Sequence, residues 1–284
     1  MKIARTIAEL GREGLVGRDG LEGQVGLVPT MGALHDGHVA LLRAARRECG
    51  IVVASIFVNP AQFGDPADLA AYPRDEARDA RIAEEAGVDW LFVPAAREMY
   101  PSGFATWVEV EGAALGFEGE FRPGHFRGVA TVCLKIFSIV RPDLAFFGQK
   151  DAQQVAVVSQ MVCDLNLPLE IRVVPTVRAA DGLALSSRNA RLSDDERRVA
   201  VAIPRALEAG LAAHHAGRDP VAEARSVLEA RQPGAAATLT IEYVGVADFG
   251  GRPTLVVAAR AGKTRLIDNT PLGGGAPADA GGPE

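Results

Sequence analysis

The stretch "PTMGALHDGHVALL", residues 29–42, sets His35 and His38 three apart with Gly37 between them, just ahead of an apolar run. The whole chain holds 5 histidines, so the pairing is selective. It follows a short β-branched run and stands where a helix should begin. If the first turn is formed, residues three apart share one face. Gly37 lets a ligand come close to the backbone. The N–H groups and positive dipole end of a helix start favour an anion. Imidazoles can donate hydrogen bonds to phosphate oxygens and stabilise charge that grows in a transition state. Together these parts make a phosphate-binding site. Three other readings use the same residues. A metal pair is one, though no third ligand lies at helical spacing. Ordinary polar residues at a helix cap are another. A dinucleotide site is the third, and the missing G-x-G-x-x-G weighs against it.

The elements that must position these residues are legible as alternating runs. Residues 24–28, 51–58, 89–93, 144–147 and 169–174 are short, apolar and rich in β-branched or aromatic residues. Helical periods separate them at 38–49, 75–86, 127–140 and 151–165. This alternation predicts an α/β fold, a Rossmann-like doubly wound parallel sheet, with ligands beyond the carboxyl ends of the strands. Between Gln62 and Arg74 the chain is rich in Gly, Pro and Asp without periodicity, and reads as a loop able to close over a site. After Pro175 the texture changes. Ser193 and Glu196 spell a capping box ahead of a long Ala-rich helical stretch. A second helical stretch ends near Arg231, where Pro233-Gly234 interrupts it. Three closely spaced strands follow at 238–246, 254–260 and 264–268, which suggests a small antiparallel unit. The expected organisation is a domain over 1–175, a smaller α+β domain over 176–272, and a disordered tail over 273–284.

Composition excludes some classes. Hydrophobic residues are 48% and charged ones 23%, ordinary for a globular protein. A net charge of −6 argues against a nucleic-acid partner but is silent on small anions held by local cations. No apolar run approaches the ~18 residues of a membrane span, and the charged N-terminus is a poor signal peptide, so a cytoplasmic location with no membrane partner is expected. Cys49, Cys133 and Cys163 are odd in number and set among apolar or helical neighbours, and are expected as buried reduced thiols.

A strand followed by H-x-G-H at a helix start resembles the nucleotidyltransferase superfamily, whose members set both histidines against the phosphates of ATP. Their second basic motif is similar to "LALSSRN", residues 183–189. Further blocks narrow the match: "VPTMGALHDGH", "SIFVNPAQF", "AYPRD", "RPGHFRGVATV", "FFGQKDAQQ", "VPTVRAADGLALSSRN" and "RLIDN", in family order over residues 24–269, resemble the pantoate–β-alanine ligases. The resemblance implies two steps. Pantoate carboxylate attacks the α-phosphorus of ATP, and the amine of β-alanine then displaces AMP from the pantoyl adenylate. It implies catalytic roles for His35, His38, Lys150 and Arg188. It implies ATP contacts from Pro29, Thr30, Met31, Gly37, Gly148, Lys150, Asp151, Val177, Leu185, Ser186, Ser187 and Arg188. Pantoate would meet Met31, Asn59, Gln62, Phe63 and Gln154, with Gln154 expected one helical turn beyond Lys150. Tyr72 and Asp79 match the lid's edge. The implied Mg²⁺ would be held mainly by phosphate oxygens, with no protein metal site, the second domain would act as a lid, and the assembly would be a homodimer. Two positions depart from the family: Gln149 replaces an acidic residue, and Leu185 a frequent methionine.

Overall fold

The computed structural model describes residues 1–12, 23–230 and 236–273. The expected tail beyond Gly273 and the helix break at Pro233-Gly234 lie outside those residues. The chain clusters into two compact units. Of the described residues, the first holds those within 1–148 and 153–174, and the second takes Gln149–Ala152 together with those from Pro175 to Gly273.

The first unit is built on β1 (Lys2–Ala4), α1 (Ile7–Arg12), β2 (Val25–Thr30), α2 (Asp36–Glu48), β3 (Ile51–Ile56), α3 (Pro66–Ala70), α4 (Glu76–Glu85), β4 (Trp90–Phe92), α5 (Ala96–Met99), α6 (Phe117–Phe121), α7 (His125–Val140), β5 (Leu144–Gly148), α8 (Ala152–Asp164) and β6 (Glu170–Val174). Its six strands pair in parallel in the order β1-β4-β3-β2-β5-β6. Side chains alternate between two apolar layers, as the two-residue period of a strand requires. Leu27, Val53, Trp90, Phe92, Ala145 and Phe147 face one layer with α7 and α8. Val28, Val52, Ala54, Leu91, Leu144 and Phe146 face the other, with α2 and α4. Burial on both sides explains why these strands read as continuous apolar runs. Strand order reverses between β2 and β5, the switch point where ligands of such sheets bind.

Three features differ from expectation. β1 was not anticipated, because three residues carry no period; it pairs with β4 at the sheet edge. The stretch 62–74 is not purely a loop. Asp65 accepts a hydrogen bond from the Ala67 N–H and Pro66 opens the first turn, so the short helix α3 forms. Cys163 is exposed, unlike Cys49 and Cys133. It lies two residues past the buried Met161 on α8, about 200° around the helix.

In the second unit, the capping box at Ser193 and Glu196 starts α9 (Asp194–Ala200). The Ala-rich stretch then breaks, and α10 (Ala202–His215) begins afresh. Pro204 is the reason: lacking an N–H, it is tolerated only in a first turn. After α11 (Pro220–Glu229) come β7 (Leu239–Asp248), β8 (Pro253–Ala261) and β9 (Thr264–Pro271), an antiparallel sheet with β8 central. Leu255, Val257, Ala259 and Ala261 on one face of β8 pack against Ile203, Ala206 and Leu207 of α10.

Candidate active site

Beyond β2 the chain turns sharply. Gly32 and Ala33 both adopt left-handed φ values, +80° and +51°. For alanine this costs about 1–2 kcal/mol, and a buried carboxylate offsets it. Asp79 of α4, 1% exposed, accepts the Ala33 N–H at 2.7 Å and the Leu34 N–H at 2.8 Å. Asp79 is thus the footing of the histidine loop and not part of a lid edge. A Cβ on Gly32 would sit 2.9 Å from that carboxylate, so glycine is required there.

His35 is the N-cap of α2, and its Nδ1 accepts the Gly37 N–H at 3.1 Å. His38, three residues on, turns its Nδ1 back to accept the His35 N–H at 3.3 Å. The pair forms a capping box in which imidazoles replace the usual Ser and Glu. The rings lie against each other, centroids 4.1 Å apart. Because each Nδ1 accepts a backbone proton, each neutral ring carries its own proton on Nε2. Two imidazole donors therefore stand at the first turn of a helix, where the backbone dipole already favours an anion. Just upstream, Thr30 donates its hydroxyl to the Ser55 carbonyl at 2.7 Å, fixing the end of β2 after Pro29.

Beyond β3, Asn59, Pro60, Ala61 and Gln62 make a 3₁₀ turn capped by Asn59. Asn59 Nδ2 donates to Gln62 Oε1 at 3.0 Å and to the Gly128 carbonyl at 3.1 Å, and its Oδ1 accepts from Tyr100 at 2.9 Å. Burial pushes the Tyr100 phenol up to about 12, so it remains a donor at neutral pH. Gln62 Nε2 contacts Met31 Sδ at 3.1 Å, which brings together Met31, Asn59 and Gln62. Phe63 follows, its ring edge-on to Tyr72. Two residues without a prior role hold this turn: His125 Nδ1 donates to the Gln62 carbonyl at 2.9 Å, and Arg122 Nη1 lies 3.1 Å from His125 Nε2. Gly128 of α7 permits the approach, since a Cβ there would lie 2.4 Å from the Ala61 carbonyl oxygen. Gln154 sits half-buried in the first turn of α8, which starts at Ala152; Lys150 precedes that helix on a separate 3₁₀ turn, so the two are not one α-helical turn apart. Gln153, not anticipated, is buried and binds the Glu118 N–H and the Ala113, Leu115 and Gly116 carbonyls.

In the second unit, Gln149–Asp151 form that 3₁₀ turn directly after Gly148, with the Lys150 ammonium 3.4 Å from the Asp151 carboxylate. A hairpin-like loop joins Val177 to Leu185 through a 3.0 Å backbone bond. Ser186 then caps the 3₁₀ turn Ser187–Arg191 by accepting the Arg188 N–H at 3.2 Å. Beneath the loop, Arg178 grips Asp268 with two hydrogen bonds of 2.6 and 3.2 Å. Burial pushes the Asp268 carboxyl up, and the guanidinium pulls against that shift.

A doubly wound parallel sheet whose central strand ends in a histidine-capped helix, beside an amide-lined turn, belongs to a nucleotide-using α/β enzyme. The family model described as pantoate–β-alanine ligase matches residues 2–271. A pantothenate synthetase of Heliobacterium modesticaldum is 52% identical over 85% of this chain and 89% of its own. The crystal structure of the Thermus thermophilus pantothenate synthetase superposes with a TM-score of 0.86, 45% identity, and 96% and 99% of the two chains covered. A Francisella tularensis pantoate–β-alanine ligase, complexed with β-γ ATP and β-alanine, gives a TM-score of 0.78 at 34% identity, covering 96% and 98%. The chain belongs to the pantoate–β-alanine ligase family, and its activity is the ATP-dependent condensation of pantoate with β-alanine.

Proposed function

We propose that the reaction runs through pantoyl adenylate, with the residues above in the following roles. His35 and His38 donate from Nε2 to phosphate oxygens of ATP as negative charge grows on them. Lys150, Ser186, Ser187 and Arg188 act on the same triphosphate as further donors. Pro29, Thr30, Met31, Gly37, Gly148, Asp151, Val177 and Leu185 line the nucleotide, partly through backbone. Asn59, Gln62, Gln154 and Met31 hold the hydroxyls and carboxylate of pantoate, and Phe63 its dimethyl end. A carboxylate is a poor acyl donor to an amine. Transferring AMP to it, with release of pyrophosphate, supplies a leaving group, and β-alanine's amine then forms the amide as AMP departs. The second unit acts as a lid that limits hydrolysis of the adenylate.

Among the described residues no group of three His, Cys, Asp or Glu gathers to hold a metal. The implied Mg²⁺ would be carried mainly by phosphate oxygens, where it would neutralise charge on the triphosphate. Two further readings belong to this proposal. A homodimer is supported by residues 105–111, an extended stretch with Val108 and Val110 against the core and Trp107 39% exposed. A cytoplasmic location is supported by the three free thiols.

The observation that carries the reading is the paired Nδ1 acceptance, which aims two Nε2 donors from one helix start. Pantoate-dependent exchange of pyrophosphate into ATP tests it. His38→Ala is expected to lower the exchange rate by about a hundredfold or more. His38→Gln keeps both a capping-box acceptor and an amide N–H donor at that position, and should recover part of the lost rate while melting like the parent. A folded His38→Ala enzyme within threefold of the parent would overturn the role.

A further inference from the structure

Asp268 and Asn269 of β9 lie in the block "RLIDN", to which the reaction assigns no part. Both are buried, 3% and 5% exposed, although neighbouring residues of a strand point to opposite faces. Polar groups so placed need full bonding, and apolar side chains would serve the fold as well. Their bonds lead to two different loops. Asn269 Nδ2 donates to the carbonyls of Gln149 at 2.9 Å and Lys150 at 2.8 Å, and its Oδ1 accepts from Gln149 Nε2 at 3.0 Å. Asp268 binds Arg178, whose Nη1 also donates to the Gly182 carbonyl at 3.1 Å, in the hairpin that leads to Ser186. The Asn269 N–H closes onto Asp268 Oδ1 at 2.8 Å, joining the two arms. The Lys150 turn accordingly clusters with the second unit, although it emerges from a strand of the first.

We propose that the Asp268–Asn269 pair is a positioning element, one strand step wide, that sets the Lys150 turn and the Ser186–Arg188 loop at a fixed separation. It rests on the reading that both segments contact the triphosphate. Neither residue touches the reacting atoms; Asn269 acts through Lys150 and Asp268 through Arg178.

The test is a double-mutant cycle on pantoate-dependent pyrophosphate exchange, with ATP, Mg²⁺ and the full chain. Asn269→Ala should lower the rate constant by about tenfold or more, since small displacements of a positioned group are costly, and leave the pantoate KM within about twofold. In a Lys150→Ala background the same substitution should cost less than about threefold, because the group it positions is gone. Asn269→Ser, whose hydroxyl can serve one carbonyl, should fall between, and it carries the cycle if the alanine variant does not fold. A full penalty in both backgrounds, or undiminished exchange by folded Asn269→Ala, overturns the positioning role alone. A parent enzyme without pantoate-dependent exchange, or a Lys150→Ala variant as fast as the parent, overturns the assignment of the triphosphate contacts and the positioning role with it.

Discussion

The histidine loop and the Lys150 turn, both proposed above to meet the triphosphate, are secured in different ways. The loop is secured partly at close range, since each imidazole caps the backbone within three residues, and otherwise by α4, where the Asp79 carboxylate takes two further N–H groups and Arg78 donates to the Leu34 carbonyl at 2.9 Å. The turn is secured at long range, by an amide 119 and 120 residues away that takes two carbonyls and receives one side-chain donor. The contrast teaches where function is fragile. A loop whose left-handed turn rests on one buried carboxylate concentrates its risk at that residue. A turn held by several weaker bonds should lose activity in graded steps.

The largest effect is expected at that residue. Asp79→Ala would leave the Ala33 and Leu34 N–H groups without acceptors and Ala33 in a strained conformation. Orphaned buried donors cost roughly 1–3 kcal/mol each, so a loss of about 2–4 kcal/mol in denaturant unfolding is expected, with pyrophosphate exchange reduced about a hundredfold below the melting range. A variant that melts early yet exchanges normally when folded would break the comparison, because the loop would then hold its shape without its footing.

Gly128→Ala comes next. The added Cβ, 2.4 Å from the Ala61 carbonyl oxygen, meets backbone on the far side, so the turn carrying Asn59 and Gln62 must shift. Overpacking of this kind costs about 1–3 kcal/mol. The pantoate KM should rise about tenfold with the ATP KM little changed; equal rises in both would show that the turn does not serve pantoate alone.

A smaller effect separates the units by pH. Burial raises the thiol of Cys49 from 9.0 to about 11 and that of Cys133 to about 12. Both belong to the first unit. A raised folded-state value means that the fold favours the protonated thiol. The contribution is complete below the unfolded value near 9 and is lost as pH climbs through 11 to 12. Trp90 and Trp107 are the chain's two tryptophans and both lie in the first unit. Their fluorescence should therefore report declining stability over that window, and Cys133→Ala should flatten the decline. An unchanged slope would mean that other groups govern alkaline unfolding.

Legibility in the sequence followed the range of the forces. The parallel sheet was readable because burial on both faces makes its strands continuous apolar runs. β1 was not, since a three-residue edge strand is specified by its partner β4 and hardly by itself. The histidine spacing announced a helix start because capping acts between residues three apart. Asp79, Gln153 and His125 gave no comparable signal: each matters through a backbone group between 35 and 63 residues distant. Resemblance located Gln62 and Lys150, but what holds them required the fold.

Gln149 provides the smallest and sharpest test of graded anchoring. Its side chain supplies one of the bonds at Asn269. Removing it leaves both donor bonds from Asn269 to the turn's carbonyls in place. A neutral hydrogen bond contributes about 0.5–1.5 kcal/mol, and only part of that reaches Lys150. Gln149→Ala should therefore slow pyrophosphate exchange about two- to threefold, well short of Asn269→Ala. If the two variants were equally slow, the turn would depend on its own side chain as the histidine loop depends on Asp79, and the two regions would fail alike.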